Sequence, residues 1–299
     1  MMSSEHSRSG FVTIVGRPNS GKSTLVNHLV GEKISIVTDK PQTTRNVVRG
    51  IVTRPEGQIV LLDTPGVHKP IHRMNERMMK AVRGAMSEVD IVALIVDASV
   101  PFGRGDEFTL ELIRDVKASR FLLLNKIDKI HKQDLLPQID RYSKLLSFDE
   151  VTPMSALTGE NVDMFVSALF KHLPAGPAYY PEDQLSDQPE RAIAAEMIRE
   201  KLIMHTRDEL PYSTAVFVDR FEEGDTLHRI HATIVVERES QKPIIIGKGG
   251  ELLKRIGTAA RLDLERFFGR KMYLELRVKV EKSWRDDEDA LRRLGLAER

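Results

Sequence analysis

The 299-residue chain contains no cysteine. This absence excludes a disulfide framework, a zinc site built from thiolates and a cysteine nucleophile. Proteins without disulfides are typical of reducing compartments, so we predict a cytoplasmic location.

Long apolar runs are absent as well. The longest aliphatic run covers residues 91–96. It is far shorter than the roughly 20 residues that cross a bilayer, which predicts no transmembrane span. Residues 1–10 are polar and serine-rich, without the apolar core of a secretory signal, and we interpret residues 1–9 as a disordered tail.

The composition is that of a globular protein. Hydrophobic residues make up 41% and charged residues 30% of the chain, which is enough apolar material for a substantial core. The formal net charge is +1, so charge becomes informative only when it is divided along the chain. The length predicts about two domains.

A phosphate-binding pattern stands near the start, where residues 16–23 read Gly-Arg-Pro-Asn-Ser-Gly-Lys-Ser. A strand-like run precedes it and a helix-compatible stretch follows, so its N–H groups can bind a phosphate at a helix N-terminus. On this motif alone, a glycine-rich turn before an ordinary helix is the alternative. Lys22 would reach the β- and γ-phosphates, and Ser23 would bind Mg²⁺. The predicted nucleotide contacts here are Gly16, Arg17, Pro18, Asn19, Ser20, Gly21, Lys22, Ser23 and Thr24.

Two later segments offer further ligands for magnesium and phosphate. A threonine hydroxyl can join Mg²⁺ when the γ-phosphate closes its loop; we predict Thr44, with Thr43 as the alternative. Asp63-Thr64-Pro65-Gly66 follows a predicted strand, so Asp63 can bind Mg²⁺ through water and the Gly66 N–H can face the γ-phosphate. The predicted metal ligands are Ser23, Thr44 and Asp63.

The residue after this tetrapeptide is Val67. Many small GTPases carry a glutamine there that orients the attacking water, and valine has no polar group for that task. We therefore expect either slow turnover or another group that orients the water.

Recognition of the base is predicted from Asn125-Lys126-Ile127-Asp128. The Asp128 carboxylate can accept from both N1–H and the 2-amino group of guanine, and adenine offers neither donor. The stem of Lys126 can lie along the base, and Ser155-Ala156 can direct a backbone N–H toward guanine O6. These motifs in this order predict a GTP-binding domain over residues 10–172 and disfavour an ATPase.

The composition changes in residues 173–189, where four prolines stand among glycine, serine and acidic residues. Such a stretch is typical of a linker, and we place a second domain at residues 190–299. Its pattern predicts the order α-β-β-α-α-β. The predicted elements are helix 192–210, strands 214–221 and 227–236, helices 242–246 and 251–268, and strand 272–280.

A Gly-x-x-Gly turn lies between the two central helices of this second domain. Its glycines let a sugar-phosphate backbone approach the main chain, as in KH modules, although a helix-ending turn is the alternative. Residues 242–285 contain 12 Lys and Arg against 5 Asp and Glu, whereas residues 182–241 contain 7 against 14. We therefore predict RNA binding by the basic half. The predicted contacts are Ile246, Gly247, Lys248, Gly249, Gly250 and Lys254, together with Arg277 and Lys279, which a solvated strand face explains equally well.

With these motifs in this order, the chain resembles the Era family among the TrmE-Era-EngA-like bacterial GTPases, over roughly residues 10–295. Ser20 stands where valine is frequent in the family. The resemblance implies an α/β P-loop GTPase domain, with a mixed, mostly parallel sheet between helices, followed by an α+β type II KH domain.

The resemblance also implies an activity and partners. It implies Mg²⁺-dependent hydrolysis of GTP to GDP and phosphate, with Lys22, Thr44, Gly66 and Asn19 at the reacting phosphate and K⁺ bound near Asn19. It further implies a monomer that binds the 3′ end of 16S rRNA, assists maturation of the small (30S) ribosomal subunit and associates loosely with the inner face of the cell membrane. The alternative is a membrane-associated regulatory GTPase that couples growth or the cell cycle to ribosome status, with incidental RNA binding.

Overall fold

A computed structural model describes residues 7–41 and 43–296 of the chain. Most of the predicted tail therefore lies outside the described residues. The tail prediction is wrong for residues 8 and 9, because strand β1 already begins at Arg8. The polar start of this strand is held through its backbone: the Arg8 N–H donates to Glu56 O (2.9 Å) and the Ser9 N–H donates to Pro174 O (3.1 Å).

The chain divides into two compact units. Of the described residues, the first unit comprises 7–35, 41, 43–70 and 78–187, and the second comprises 36–40, 71–77 and 188–296. The boundary at residues 187 and 188 falls inside the predicted linker of residues 173–189.

The first unit contains a six-stranded sheet in the order β2-β3-β1-β4-β5-β6. Only the pair β2 and β3 is antiparallel; the other neighbours are parallel. The strands are β1 (Arg8–Val15), β2 (Val48–Arg54), β3 (Gly57–Asp63), β4 (Ile91–Asp97), β5 (Ser119–Asn125) and β6 (Glu150–Pro153). The helices are α1 (Lys22–Val30), α2 (Arg73–Ala85, with residues 78–85 in this unit), α3 (Arg104–Ile113), α4 (Leu135–Leu145) and α5 (Val162–His172).

Helices cover both faces of this sheet. Helices α1 and α5 pack on one face through residues such as Leu25 and Phe165. Helices α2, α3 and α4 pack on the other face through residues such as Met79, Ile113 and Tyr142. The central strands are buried on both sides, which explains their continuous aliphatic runs. Met79, Val82 and Met86 lie at helical spacing and are buried in this second cluster.

This topology brings the carboxyl ends of the parallel strands to one edge of the sheet. The glycine-rich loop follows β1 there, and β3, β4 and β5 end at Asp63, Asp97 and Asn125. Ligands of open α/β sheets bind outside this edge, at the point where the strand order reverses. The fold therefore places the predicted nucleotide contacts together.

The proline-rich segment before residue 188 is bound to the first unit. The buried Gln58 accepts from the N–H groups of Tyr179 (2.8 Å) and Tyr180 (2.9 Å) and donates to Tyr180 O (3.0 Å). The Ile51 N–H donates to Leu185 O at 2.9 Å. The segment therefore pairs with the exposed edge of β2, which would otherwise present unpaired backbone groups.

The second unit contains a three-stranded sheet in the order β7-β8-β9, with β8 antiparallel to β7 and parallel to β9. Helices α6 and α9 pack on one face through residues such as Ile198, Ile256 and Leu264. The strands are β7 (Ala215–Glu222), β8 (Leu227–Val236) and β9 (Lys271–Val280). The helices are α6 (Glu190–His205), α7 (Leu210–Ser213), α8 (Gln241–Ile246), α9 (Glu251–Phe268) and α10 (Glu288–Arg293).

The predicted order α-β-β-α-α-β is confirmed by α6-β7-β8-α8-α9-β9, with three corrections. The short helix α7 lies between α6 and β7 and was not predicted as a separate element. The helix predicted over residues 192–210 ends at His205, because Thr206 is extended and Asp208 has a positive φ of 56°. A C-terminal segment with α10 was not predicted from the sequence. Its anchor is Trp284, which is fully buried and donates through Nε1 to Ser213 O at 3.0 Å.

Candidate functional site

The phosphate-binding loop runs from the end of β1 to the first residue of α1. Gly21 has a φ of 103° and Asn19 a φ of 63°, so the loop curls in the left-handed region. A Cβ on Gly16 would lie 2.3 Å from Ile95 O, which leaves room only for glycine. Thr24 follows in the first turn of α1 and is half-buried.

Lys22 lies buried under this loop. Its Nζ donates to Gly16 O (3.1 Å) and Arg17 O (2.9 Å). Burial lowers the pKa of Lys22 to about 8, although the nearby Asp63 carboxylate acts in the opposite direction. The ammonium group is thus only marginally held in its charged form, and an anion beside it would favour that form.

We expect the affinity for GDP to fall as the pH rises above about 8, because Lys22 must take up a proton when it binds phosphate. Below its pKa the group is already charged and adds no pH dependence. Above it, affinity should fall by up to about tenfold per pH unit. Calorimetric titration at about pH 8.5, in buffers of different ionisation enthalpy, would report the proton uptake. Absence of proton uptake would contradict the expected contact between Lys22 and the phosphate.

The three predicted metal ligands lie together. Ser23 Oγ donates to Asp63 Oδ2 at 2.7 Å and lies 2.9 Å from Thr44 Oγ1. This contact favours Thr44 over Thr43 as the γ-phosphate sensor. Burial raises the pKa of Asp63, and its Oδ1 accepts no hydrogen bond within the described part of the chain. A buried carboxylate beside the Ser23 hydroxyl group, which in turn contacts the Thr44 hydroxyl group, suits a hard, oxygen-seeking ion such as Mg²⁺.

The Asp-Thr-Pro-Gly segment packs tightly against the phosphate loop. Thr64 Oγ1 donates to Ile14 O (2.7 Å), and Pro65 is buried beside it. The Val67 N–H donates to Gly16 O at 3.0 Å. A Cβ on Gly66 would lie 2.9 Å from the Cα of Pro18, so only glycine fits here. The Val67 side chain is buried in the core and offers no group that could orient a water molecule.

Asn125 braces the two loops that meet at the expected base site. Its Nδ2 donates to Ser20 O, and its Oδ1 accepts from the Ala156 N–H, both at 2.8 Å. Ser155 Oγ donates to Asp128 Oδ1 at 2.6 Å, which orients that carboxylate. The Ala156 N–H, one of the two in Ser155-Ala156 that could face guanine O6, thus already has an acceptor, and O6 would have to share this donor.

Lys126 crosses from the base loop to the phosphate loop. It has a positive φ of 66°, and its Nζ contacts Asn19 O (2.7 Å) and Asp97 Oδ2 (2.5 Å). Partial burial of the Asp97 carboxylate acts to raise its pKa. Hydrogen bonds from Lys126 and Ser99 outweigh burial and hold the pKa of Asp97 below its usual range. Asp97 therefore keeps its charge and fixes the lysine.

Sequence reasoning missed two carboxylates of this site. Asp97 ends β4, and Asp106 in the first turn of α3 accepts from Arg17 Nη1 at 2.7 Å. Asp97 directly follows the apolar run of residues 91–96. Its place at the end of a predicted strand could have identified it as a site residue, as the same kind of position identified Asp63. Asp106 had no comparable signal, because only the packing of α3 brings it to the phosphate loop.

The Gly-x-x-Gly turn joins α8 to α9 in the second unit. Gly247, Gly249 and Gly250 have φ values of 75°, 60° and 83°. A Cβ on Gly247 would lie 2.7 Å from the Cβ of Leu252, whereas a Cβ on Gly249 would meet nothing within 4 Å. Ile246 ends α8 and is half-buried, while Lys248 and Lys254 are exposed on either side of the N-terminus of α9. The turn thus offers flexible cations and helix N–H groups to an anion.

Arg277 and Lys279 do not share the face of this turn. They lie exposed on β9, where alternate residues such as Leu276 and Val278 pack toward the helices. Arg277 pairs with Glu275 (2.8 Å), and Lys279 pairs with Glu281 (3.1 Å). Both side chains lie on the sheet face turned away from the helices that carry the turn, and their contact with RNA stays a prediction.

Two features are absent from residues 7–41 and 43–296. No helix there is long and apolar enough to cross a membrane. No group of three or more His, Asp or Glu side chains in those residues is placed to hold a metal ion. The oxygen cluster described above contains a single carboxylate and is completed by hydroxyl groups.

Family models match both units. A model described as 50S ribosome-binding GTPase matches residues 11–126. A KH domain model matches residues 209–285. The two matched ranges contain the nucleotide motifs up to Lys126 and the Gly-x-x-Gly turn, respectively.

Relatives match nearly the whole chain. GTPase Era of Staphylococcus haemolyticus (strain JCSC1435) is 49% identical over 295 residues, which are 98% of each chain. A crystal structure of an Aquifex aeolicus Era variant bound to GDP·AlF4⁻ has 41% identity and a TM-score of 0.94, covering 97% of this chain and all of that one. An Era structure in complex with MgGDPNP and nucleotides 1506–1542 of 16S ribosomal RNA has the same identity and TM-score, covering 98% of this chain and all of that one.

Proposed function

This chain belongs to the Era family of GTPases, and from that premise we propose that it binds the 3′ end of 16S rRNA and assists assembly of the 30S subunit. The observation that carries the proposal is the exposed Gly-x-x-Gly turn before the N-terminus of α9. A similar Era was crystallised with nucleotides 1506–1542 of that RNA. The phosphates of a single strand fit the cations and N–H groups of the turn.

For hydrolysis, we assign roles to the groups that surround the expected γ-phosphate. Ser23, Thr44 and Asp63 would hold Mg²⁺, which would neutralise phosphate charge. Lys22 contacts the β- and γ-phosphates, and the Gly66 N–H faces the γ-phosphate. Because these groups bind and orient, and none of them is assigned to take the proton of the attacking water, catalysis rests on positioning and electrostatic stabilisation.

Guanine selectivity is assigned to the loops at β5 and β6. Asp128 accepts from the base, while Asn125 and Lys126 hold the base loop against the phosphate loop. Ser155 orients Asp128, and we assign to Ala156 the N–H that guanine O6 would share with Asn125 Oδ1. Nucleotide selectivity therefore depends on two loops that are braced together through side chains.

A sedimentation experiment tests the assembly role. The full chain with a non-hydrolysable GTP analogue is mixed with purified 30S or 50S subunits and pelleted through sucrose. We expect it in the 30S pellet, and we expect 30S subunits that lack the 16S 3′ terminus to retain little of it. Equal retention by 50S subunits, or retention independent of the 3′ terminus, would contradict the proposal.

The location and oligomeric state belong to the same proposal. We propose a cytoplasmic monomer that associates peripherally with the inner face of the cell membrane. Fractionation of cell extract tests this against the regulatory alternative. Protein found mainly with small subunits supports an assembly factor, and protein found only with membranes supports a regulator for which RNA binding is incidental.

Potassium is proposed as a further ion at the phosphate loop. Asn19 is exposed in the left-handed part of the loop, where its side chain can reach an ion beside the phosphates. We expect hydrolysis on the order of tenfold faster in K⁺ than in Na⁺ at equal ionic strength, because a cation there offsets developing charge. Phosphate release in matched chloride salts measures this difference.

The matched variant for this prediction is Asn19→Ala. It should bind GDP normally and hydrolyse GTP at the same slow rate in both salts. Equal rates of the parent protein in K⁺ and Na⁺ would contradict the potassium site. The backbone or a partner would then have to orient the attacking water.

A further inference from the structure

The sheet of the second unit has a second face, turned away from α6 and α9. Outward residues of adjacent strands stand side by side on it, because Arg229 pairs with Tyr273, His231 with Glu275 and Thr233 with Arg277. We call this surface the open sheet face. Its members are Arg229, His231, Thr233, Tyr273, Glu275 and Arg277.

Tyr273 is the unusual residue of this face. Its side chain is 44% exposed although it lies inside a strand. The guanidinium carbon of Arg229 lies 5.6 Å from the centre of the tyrosine ring. The ring of His231 lies 6.0 Å away and is tilted by 57°. An exposed aromatic ring with a guanidinium beside it is typical of a platform for a stacked base.

The C-terminal segment covers a different aromatic ring on the same face. Phe217 stands beside Thr233 and is 8% exposed, because the Arg293 guanidinium lies 4.2 Å from the centre of its ring. The exposure of Tyr273 is therefore not a general property of this face. The chain covers one aromatic residue and leaves the other accessible.

The charge of the open sheet face also suits a polyanion. Arg229 and Arg277 are exposed, and the Glu275 carboxylate is shared by Arg277 (2.8 Å) and His231 (3.1 Å). On the neighbouring strand β7, Asp219 accepts from Thr233 (2.7 Å) and Glu222 pairs with Arg220. Lys271 and Lys279 are also exposed on β9, so the cations of this sheet face exceed its carboxylates, and the long side chain of Arg277 remains 75% accessible to solvent. A protein partner would be expected to meet a broader apolar patch than one tyrosine ring.

We propose that the open sheet face is a second contact for single-stranded RNA, in which Tyr273 stacks on a base and Arg229 and Arg277 contact phosphates. This proposal rests on RNA binding at the Gly-x-x-Gly turn. Because β9 is the last strand of its sheet, a strand of RNA held at the turn can pass around this edge to the opposite face. The site then extends beyond the about four nucleotides that a KH clamp holds.

The test compares short and long RNA probes on the full chain. The short probe has about four nucleotides and spans the turn, and the long probe has about ten nucleotides from the 16S 3′ end. Tyr273→Ala should weaken binding of the long probe by about 5- to 100-fold, because stacking on one aromatic ring has that effect. It should leave the short probe and GTP hydrolysis unchanged, and Tyr273→Phe should bind both probes like the parent.

The salt dependence of an Arg229 variant and the binding of 30S subunits complete the test. Arg229→Gln should lower the salt dependence of long-probe binding by about one counterion. If the parent binds neither probe, RNA binding itself fails. If the parent binds both but Tyr273→Ala binds the long probe equally well, only the second contact is wrong. Loss of 30S binding with unchanged RNA affinity would assign the face to a ribosomal protein and would equally overturn the proposal.

Discussion

The Asp128→Asn variant should lose its preference for guanine nucleotides and bind xanthine nucleotides instead. The carboxylate is the group that can accept from both N1–H and the 2-amino group of guanine. An amide offers one acceptor and one donor, and its donor faces the 2-amino group unfavourably but suits the 2-oxo group of xanthine. The substitution disrupts two charge-assisted hydrogen bonds to the base, so GDP affinity should fall on the order of 100- to 10,000-fold.

The surroundings of Asp128 make this substitution informative. Ser155 Oγ donates to Asp128 Oδ1 at 2.6 Å, and an asparagine can keep that contact through its own oxygen. The shape of the loop should therefore survive, and only the chemistry toward the base changes. Competition of GDP and XDP against a fluorescent nucleotide measures both affinities.

The matched control is Asp134→Asn, the same chemical change at an exposed position a few residues further along. It should leave both affinities as in the parent. Equal affinity of the Asp128→Asn variant and the parent for GDP would refute the role of Asp128 in base recognition.

The Gly249→Asp variant should lose RNA binding by at least about 100-fold and keep its affinity for GTP. A carboxylate at this position repels phosphate from the helix N-terminus that should receive it. The fold should persist, because a Cβ on Gly249 meets nothing within 4 Å. Aspartate also tolerates the left-handed φ of 60° better than most residues do.

Two further variants separate the effect of charge from the effect of shape at this turn. Gly249→Asn has the same shape without the charge and should lose much less affinity. Lys248→Ala should lower the salt slope by about one counterion. Gly247 is unsuitable for the test, because its Cβ would lie 2.7 Å from the Cβ of Leu252 and disturb packing.

Filter binding of a single-stranded 16S 3′-end oligonucleotide, titrated against salt, measures all of these variants. Thermal unfolding of each protein checks that it is folded. Normal RNA binding by a folded Gly249→Asp protein would remove the turn from the proposed RNA site.

The fold and much of the nucleotide site could be predicted from local sequence. A glycine-rich loop must follow a strand and begin a helix, and Asp63 and Asn125 end buried strands, so their positions in space followed from their positions in the chain. The Gly-x-x-Gly turn could also be predicted from local sequence, because its left-handed residues favour glycine whatever the tertiary packing around them. Motifs of this kind depend on a few neighbouring residues.

Contacts between distant segments were not predictable in this way. Asp106 reaches Arg17 only because α3 packs beside the phosphate loop, and the Ala156 N–H has an acceptor only because Asn125 lies across from it. The alternation of β9 showed that Arg277 has an outward face, but only the packing of α9 decided that this face is opposite the turn. The residue types and local turns were thus set by the sequence alone. Which charged groups meet was decided by tertiary packing, because hydrogen bonds across long chain separations form only after the elements have been placed.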